Sequence, residues 1–273
     1  MTHPAFRTLA LPVVMAGLMA LSACTYWSSD LDKIVDQSGR DFKRDPGRTY
    51  TAVSLEEVWK APSSYKLMEV SFQAVLNNRD ESVFVPSFTS FKPEDYSAFS
   101  VWPVSARLWD SDERARSLPT LYMRKDCPDL QRLVSLDKYA HLWIRGVVMS
   151  DFNNLPYFEV RYVDIIDPAM YTDQSLVDMA MAMEASAAKR PAQAIQRFEN
   201  ALKGALGQGA RVVAHMRLAA YYEERGDFEN ALAHFAAVVL EDHGNSAASA
   251  GADRTRKALE RKRAIEAGEE PPK

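Results

Sequence analysis

Apolar positions change their spacing near residue 170, and that change divides the chain. From Tyr50 to Asp167 they fall in short continuous or alternating runs bounded by Asn, Asp, Pro and Ser, the period of extended backbone with a buried face. After a connector around Pro168 to Gln174 the chain turns Ala-rich, and apolar residues return every third or fourth position, which is the period of a helix face. Residues 49–167 are therefore predicted to be strand-rich, and residues 175–266 helical.

The strand-rich block opens on Ser54-Leu55-Glu56-Glu57-Val58-Trp59. Ser54 can cap a helix start and Glu57 can reach back to it, so a short helix precedes the first strand. Strands are predicted at Lys66 to Leu76, Ser82 to Pro86, Val104 to Trp109, His141 to Met149 and Tyr157 to Ile166. Asp129 to Val134 reads as a helix with positions 130, 133 and 134 on one face. Ser150 to Pro156 joins the last two strands as a hairpin, because Asn153 and Asn154 tolerate positive φ, and Gly146 permits sharp coiling of the sheet. Five strands with a helix before the last two resemble the layout of an OB-fold, which implies a small, partly open barrel. A β-sandwich or an open antiparallel sheet gives nearly the same pattern. The fold class is thus α+β: an OB-like barrel or small β-domain, then a helical array.

Within the helical block, Ala194, Phe198 and Ala201 align with Ala231, Phe235 and Val238 at an offset of 37 residues. A unit of 34 residues plus three extra accounts for that spacing. The second unit, Val212 to Asn245, carries Leu218, Ala219 and Tyr222, then Arg225-Gly226-Asp227-Phe228 as a turn, then Ala231 and Phe235. This resembles a tetratricopeptide repeat, with His215 and His243 where that family often has Trp and Pro. The first unit, about Ser175 to Gln208, is degenerate: Lys189-Arg190-Pro191 replaces the Gly-containing turn, and its second helix is predicted at Ala192 to Leu206. Two units bury too little core to stand alone, so Ala247 to Glu266 is read as a capping helix and 267–273 as a tail. The resemblance implies a concave groove lined by Met179, Met183, Met216, Ala220, Glu223 and Glu224, an apolar floor with an acidic rim suited to a protein partner.

Upstream of both blocks, Arg7 precedes an apolar run from Leu9 to Leu21. The run is short for a membrane span and right for a signal-peptide core. It ends Leu21-Ser22-Ala23-Cys24, which resembles a bacterial lipoprotein lipobox. The resemblance implies removal of residues 1–23, acylation of Cys24 and attachment to a bilayer through lipid. Thr25, where Asp would favour inner-membrane retention, points within that resemblance to the periplasmic face of the outer membrane. Residues 24–48 are polar and broken by turn formers, a tether of about 27 Å root-mean-square if coiled.

Charge and motifs narrow the chemistry. Only Arg7 leaves with residues 1–23, so 33 basic residues become 32 against 37 acidic ones, and the net charge moves from −4 to −5. That balance, with no basic face, argues against nucleic acid. Of the two cysteines, Cys127 has no intrachain partner if Cys24 carries lipid, as the lipobox resemblance implies, and it is then expected to be buried. His141, His215, His234 and His243 show no metalloprotease spacing, and Asp110-Ser111-Asp112-Glu113 lacks the remainder of a calcium loop. A nucleophile elbow, a phosphate loop and a dinucleotide fingerprint are all missing from the sequence. Neither a cofactor nor a metal is expected, and the oligomeric state is left open. The reading is a non-catalytic, membrane-anchored envelope adaptor that docks a protein through its repeat. The alternative is a carbohydrate or small-ligand binder using Trp102, Trp109 and Trp143 on the OB-like domain.

Overall fold

The computed structural model describes residues 48–79 and 91–268. Cys24, the leader, nearly all of the tether, the strand expected at Ser82 to Pro86 and most of the tail lie outside the described residues. The rest is mixed α and β, with a six-stranded sheet followed by helices.

The strands are β1 (Thr51–Ala52), β2 (Glu69–Asn78), β3 (Tyr96–Pro103), β4 (Leu118–Arg124), β5 (His141–Phe152) and β6 (Leu155–Asp167). β2 pairs antiparallel with β3, β3 with β4, β5 with β6 and β2 with β5, while β4 runs parallel to β6 and the short β1 parallel to β2. Pairing therefore passes from β2 through β3, β4, β6 and β5 and returns to β2. Inside this ring lie Phe72, Phe99, Leu121, Ile144 and Phe158, all at most 2% exposed. Helix α1 (Leu55–Lys60) and helix α3 (Pro128–Val134) add Leu55, Val58 and Leu133 to the same cluster.

Local rules explain several of these elements. Ser54 accepts the Glu57 N–H at 3.1 Å and the Glu57 carboxylate accepts the Ser54 N–H at 2.9 Å, the reciprocal cap expected for α1. Asn153 and Asn154 sit at φ 50° and 58° between paired Phe152 and Leu155, a two-residue turn whose twist matches the hairpin. The register of β5 against β6 shifts at Gly146, where a Cβ would press into the Glu159 carbonyl. In α3 Asp129 is buried and accepts the Val163 N–H at 3.2 Å, whereas Val134 is 57% exposed. The helix thus turns a carboxylate inward and leaves one of its three expected apolar positions in solvent.

One expected strand is absent and two long strands were not expected. Val104 to Trp109 is not a strand; β3 ends at Pro103, and the following apolar residues pack against the helices instead. The missing strands are Tyr96–Pro103 and Leu118–Arg124, which are buried on both faces and so carry no alternation to read. Asp110-Ser111-Asp112-Glu113, short of a full calcium loop in sequence, forms a capped turn of helix. Asp110 caps the four-residue helix α2 (Ser111–Arg114), and Glu113 binds the Arg107 backbone and guanidinium.

The helical array consists of α4 (Asp173–Ala187), α5 (Pro191–Ala201), α6 (Gln208–Glu224), α7 (Phe228–Glu241) and α8 (Ser246–Ala267). The residues related by the 37-residue offset are equivalent in burial: Ala194 and Ala231, Phe198 and Phe235, Ala201 and Val238 are all at most 3% exposed. Gly226, at φ 72°, ends α6 before the α7 turn. Helix α5 stops at Ala201, short of the expected Leu206, because the chain turns at Gly204 against the hydroxyls of Thr172 and Ser175. Sheet and helices share a core in which Val75, Trp102 and Tyr139 join Leu176, Met179, Phe198 and Leu218.

Candidate functional site: a trough at the junction of sheet and helices

The outward face of β2, β5 and β6 carries side chains in rows set by register. Gln73 and Asp164 lie opposite Trp143, Ser71 and Tyr162 lie opposite Arg145, and Val75 and Asp167 lie opposite His141. Alternation on β5 sends His141, Trp143 and Arg145 to this face while Leu142 and Ile144 enter the ring core. A cleft of about 960 Å³ lies between these rows, the turn before α1 and the start of α6. A second, of about 680 Å³, continues past Arg48, Tyr50 and Arg145. They share Ser71, Trp143 and Ile166, so the two form one trough. Trp143 is 36% exposed and Ile166 47%, apolar surface that the fold leaves accessible.

Polar groups along the trough are held in place by one another. Arg145 pairs with Asp164 and lies 5.4 Å over the Tyr162 ring. Arg48 pairs with Glu69, which also binds Arg161 at 3.1 Å. Arg211, at the α6 end, binds both Glu241 oxygens at 2.7 and 2.8 Å. His141 Nε2 meets Gln73 Oε1 at 3.0 Å, and burial holds its imidazole below the ordinary range despite Asp167. Arg145 Nε is buried with no hydrogen-bond partner among the described residues, and burial pushes the Tyr50 phenol up while Arg161 beside it works the other way. Tyr50 and Arg145 both line the trough.

The residues singled out from the sequence have different fates. Met179 is wholly buried in the core shared with the sheet, and Met183 packs against that core. Met216 packs against Phe235 and Val238. Glu223 is tied to α8, accepting from Arg254 at 2.8 Å and from Thr255 at 3.1 Å, so its charge is matched and its carboxyl held below the usual range. Ala220 and Glu224 are exposed. The capping helix therefore takes up Glu223 from the expected acidic rim, and of the expected floor Met179 is core, Met183 and Met216 are half-buried and Ala220 is exposed. On α4 the accessible apolar side chains are instead Val177 and Met181, one turn apart and 43% and 44% exposed.

Of the three tryptophans, Trp102 is buried with its indole N–H donated to the Arg114 carbonyl at 2.9 Å, and Trp109 is half-buried against the helices. Trp143, at 36%, is the most exposed of the three. Cys127 is buried, its thiol pushed up by desolvation. Sequence reasoning missed the contact of His215 Nδ1 with His234 Nδ1 at 2.9 Å, although the repeat offset could have placed both on facing helices. Among the described residues no group of three or more His, Cys, Asp or Glu is arranged to hold a metal ion, and no helix is long and apolar enough to cross a membrane.

Comparison with protein-family profiles finds no match, and comparison with curated proteins finds none. Among solved structures, a chain provisionally named an aspartyl-tRNA synthetase, from Leishmania major Friedlin, superposes with a TM-score of 0.32 at 9% identity, over 72% of this chain. This chain spans 38% of that one.

Proposed function

We propose that the protein is a non-catalytic adaptor of the bacterial cell envelope, tied to a bilayer by lipid on Cys24 and presenting two binding surfaces on one body. The observation that carries this reading is the core shared by sheet and helices, in which Trp102 and Tyr139 pack with Leu176, Phe198 and Leu218. Such a core holds the trough and the exposed side of the helical array in fixed relation, which is what an adaptor requires. The ring of pairings supports an OB-like barrel, since its order and its one parallel pairing between long strands follow that layout. The 37-residue recurrence of buried Ala and Phe supports a tetratricopeptide-like array whose first unit is degenerate.

A protein partner would dock through the exposed side of the array, where Val177 and Met181 offer apolar surface. Photo-crosslinking tests this. With a benzophenone side chain at position 177, the protein in its native envelope should yield a discrete heavier adduct containing a second protein. Substituting Met181→Arg should abolish that adduct. Recovery of the uncrosslinked monomer alone would contradict the adaptor reading.

A further inference from the structure

The trough matches its own charges. Arg145 faces Asp164, Arg48 faces Glu69, and Arg211 holds both oxygens of Glu241. Among the described residues a phosphate or other strong anion would find no cation in the trough without a carboxylate, which disfavours nucleotides and polyanions. An extended peptide adding as a strand is disfavoured too. Along Trp143, β5 is bonded on one side to β2 and on the other to β6, so it offers no free backbone edge.

What the surface does offer is an aromatic face ringed by planar hydrogen-bonding groups. Gln73 and Asp164 flank Trp143 across the sheet, and His141 and Arg145 flank it along the strand. Amide, carboxylate and guanidinium each present paired polar atoms in one plane, a spacing that meets two adjacent hydroxyls. An indole face takes the C–H side of a pyranose ring, and Ile166 widens that apolar floor.

We propose that the trough centred on Trp143 binds a neutral oligosaccharide, one sugar ring stacked on the indole and its hydroxyls held by Gln73, Asp164 and Arg145. The trough continues past Trp143 in both directions, so a chain of sugars fits it better than a single ring. This rests on the adaptor reading, and names what one of its two surfaces carries.

Calorimetric titration of the full-length protein in detergent with cellotetraose, maltotetraose and tetra-N-acetylchitotetraose tests the assignment. At least one should bind with a Kd at or below about 1 mM, the weak end of specific affinity. Trp143→Ala should weaken that binding at least about tenfold, equivalent to one stacking contact, with an unchanged melting temperature because the ring is partly exposed. Gln73→Ala should weaken it as well, and Trp109→Phe should leave it unchanged. Absence of binding by all three sugars up to about 10 mM, or equal binding by wild type and Trp143→Ala, would overturn the proposal. If the sugars fail while the adduct at position 177 forms, the adaptor reading stands and the glycan assignment falls.

Discussion

His215 on α6 and His234 on α7 meet Nδ1 to Nδ1, so one ring must donate while the other accepts. The Tyr222 ring stacks on His234 at 5.5 Å, and the Tyr222 hydroxyl donates to Glu199 at 2.6 Å, a bond that pushes the phenol up to about 12. Glu241 and Arg211 act on His215, and Glu199 acts on His234. Burial outweighs the carboxylates and holds both imidazoles below their ordinary value. The unfolded chain therefore takes up protons first as pH falls. Stability from the neutral pair is complete above about pH 6.5 and is lost below it, down to the depressed folded values. The urea midpoint should fall between about pH 7.5 and about pH 5 in wild type, and fall less in His234→Gln. Equal falls in the two proteins would mean that the pair does not titrate against folding.

At the scale of elements, the hairpin between β5 and β6 gives a direct test of local chemistry. Asn154 holds φ 58°, a conformation that costs an L-residue about 1 kcal/mol and glycine almost nothing. Asn154→Gly should therefore raise stability by roughly 0.5 kcal/mol after the larger backbone entropy of glycine is set against that strain, read as a higher urea midpoint. A fall in the midpoint would show that the Asn side chain contributes more than its backbone strain removes. This hairpin, the Ser54 cap and the repeat spacing were legible because each is a local signal, fixed by a few residues and one dihedral preference. β3 and β4 were not, because burial on both faces erases alternation, and Pro119 inside β4 masks it further. Phe198 and Phe235 were readable as core from their recurrence alone. The fate of Met179 and Glu223 was not, because it depends on how the array packs on the sheet and on α8.

Across the whole molecule, Tyr139 joins the two halves. It lies at φ 72°, 3% exposed, stacked on Trp102 at 5.7 Å, with its hydroxyl donated to Asp173 at the start of α4 at 2.8 Å. Burial first, and then that carboxylate, push its phenol up to about 12. Its N–H donates to the Leu76 carbonyl of β2 and its carbonyl accepts from Met170, so one residue binds strand ring and array by side chain and backbone together. The trough was half legible on this scale: Trp143 stood out as an aromatic, but its neighbours come from β2 and β6 and from α6, which only pairing and packing bring together. The proposed adaptor depends throughout on attachment to a bilayer through lipid on Cys24. Intact-mass analysis of the protein purified from the cells that make it tests that attachment. A mature chain beginning at Cys24 and carrying fatty acid is the expected result; a chain that retains residues 1–23, or that bears no acyl group, would contradict the account.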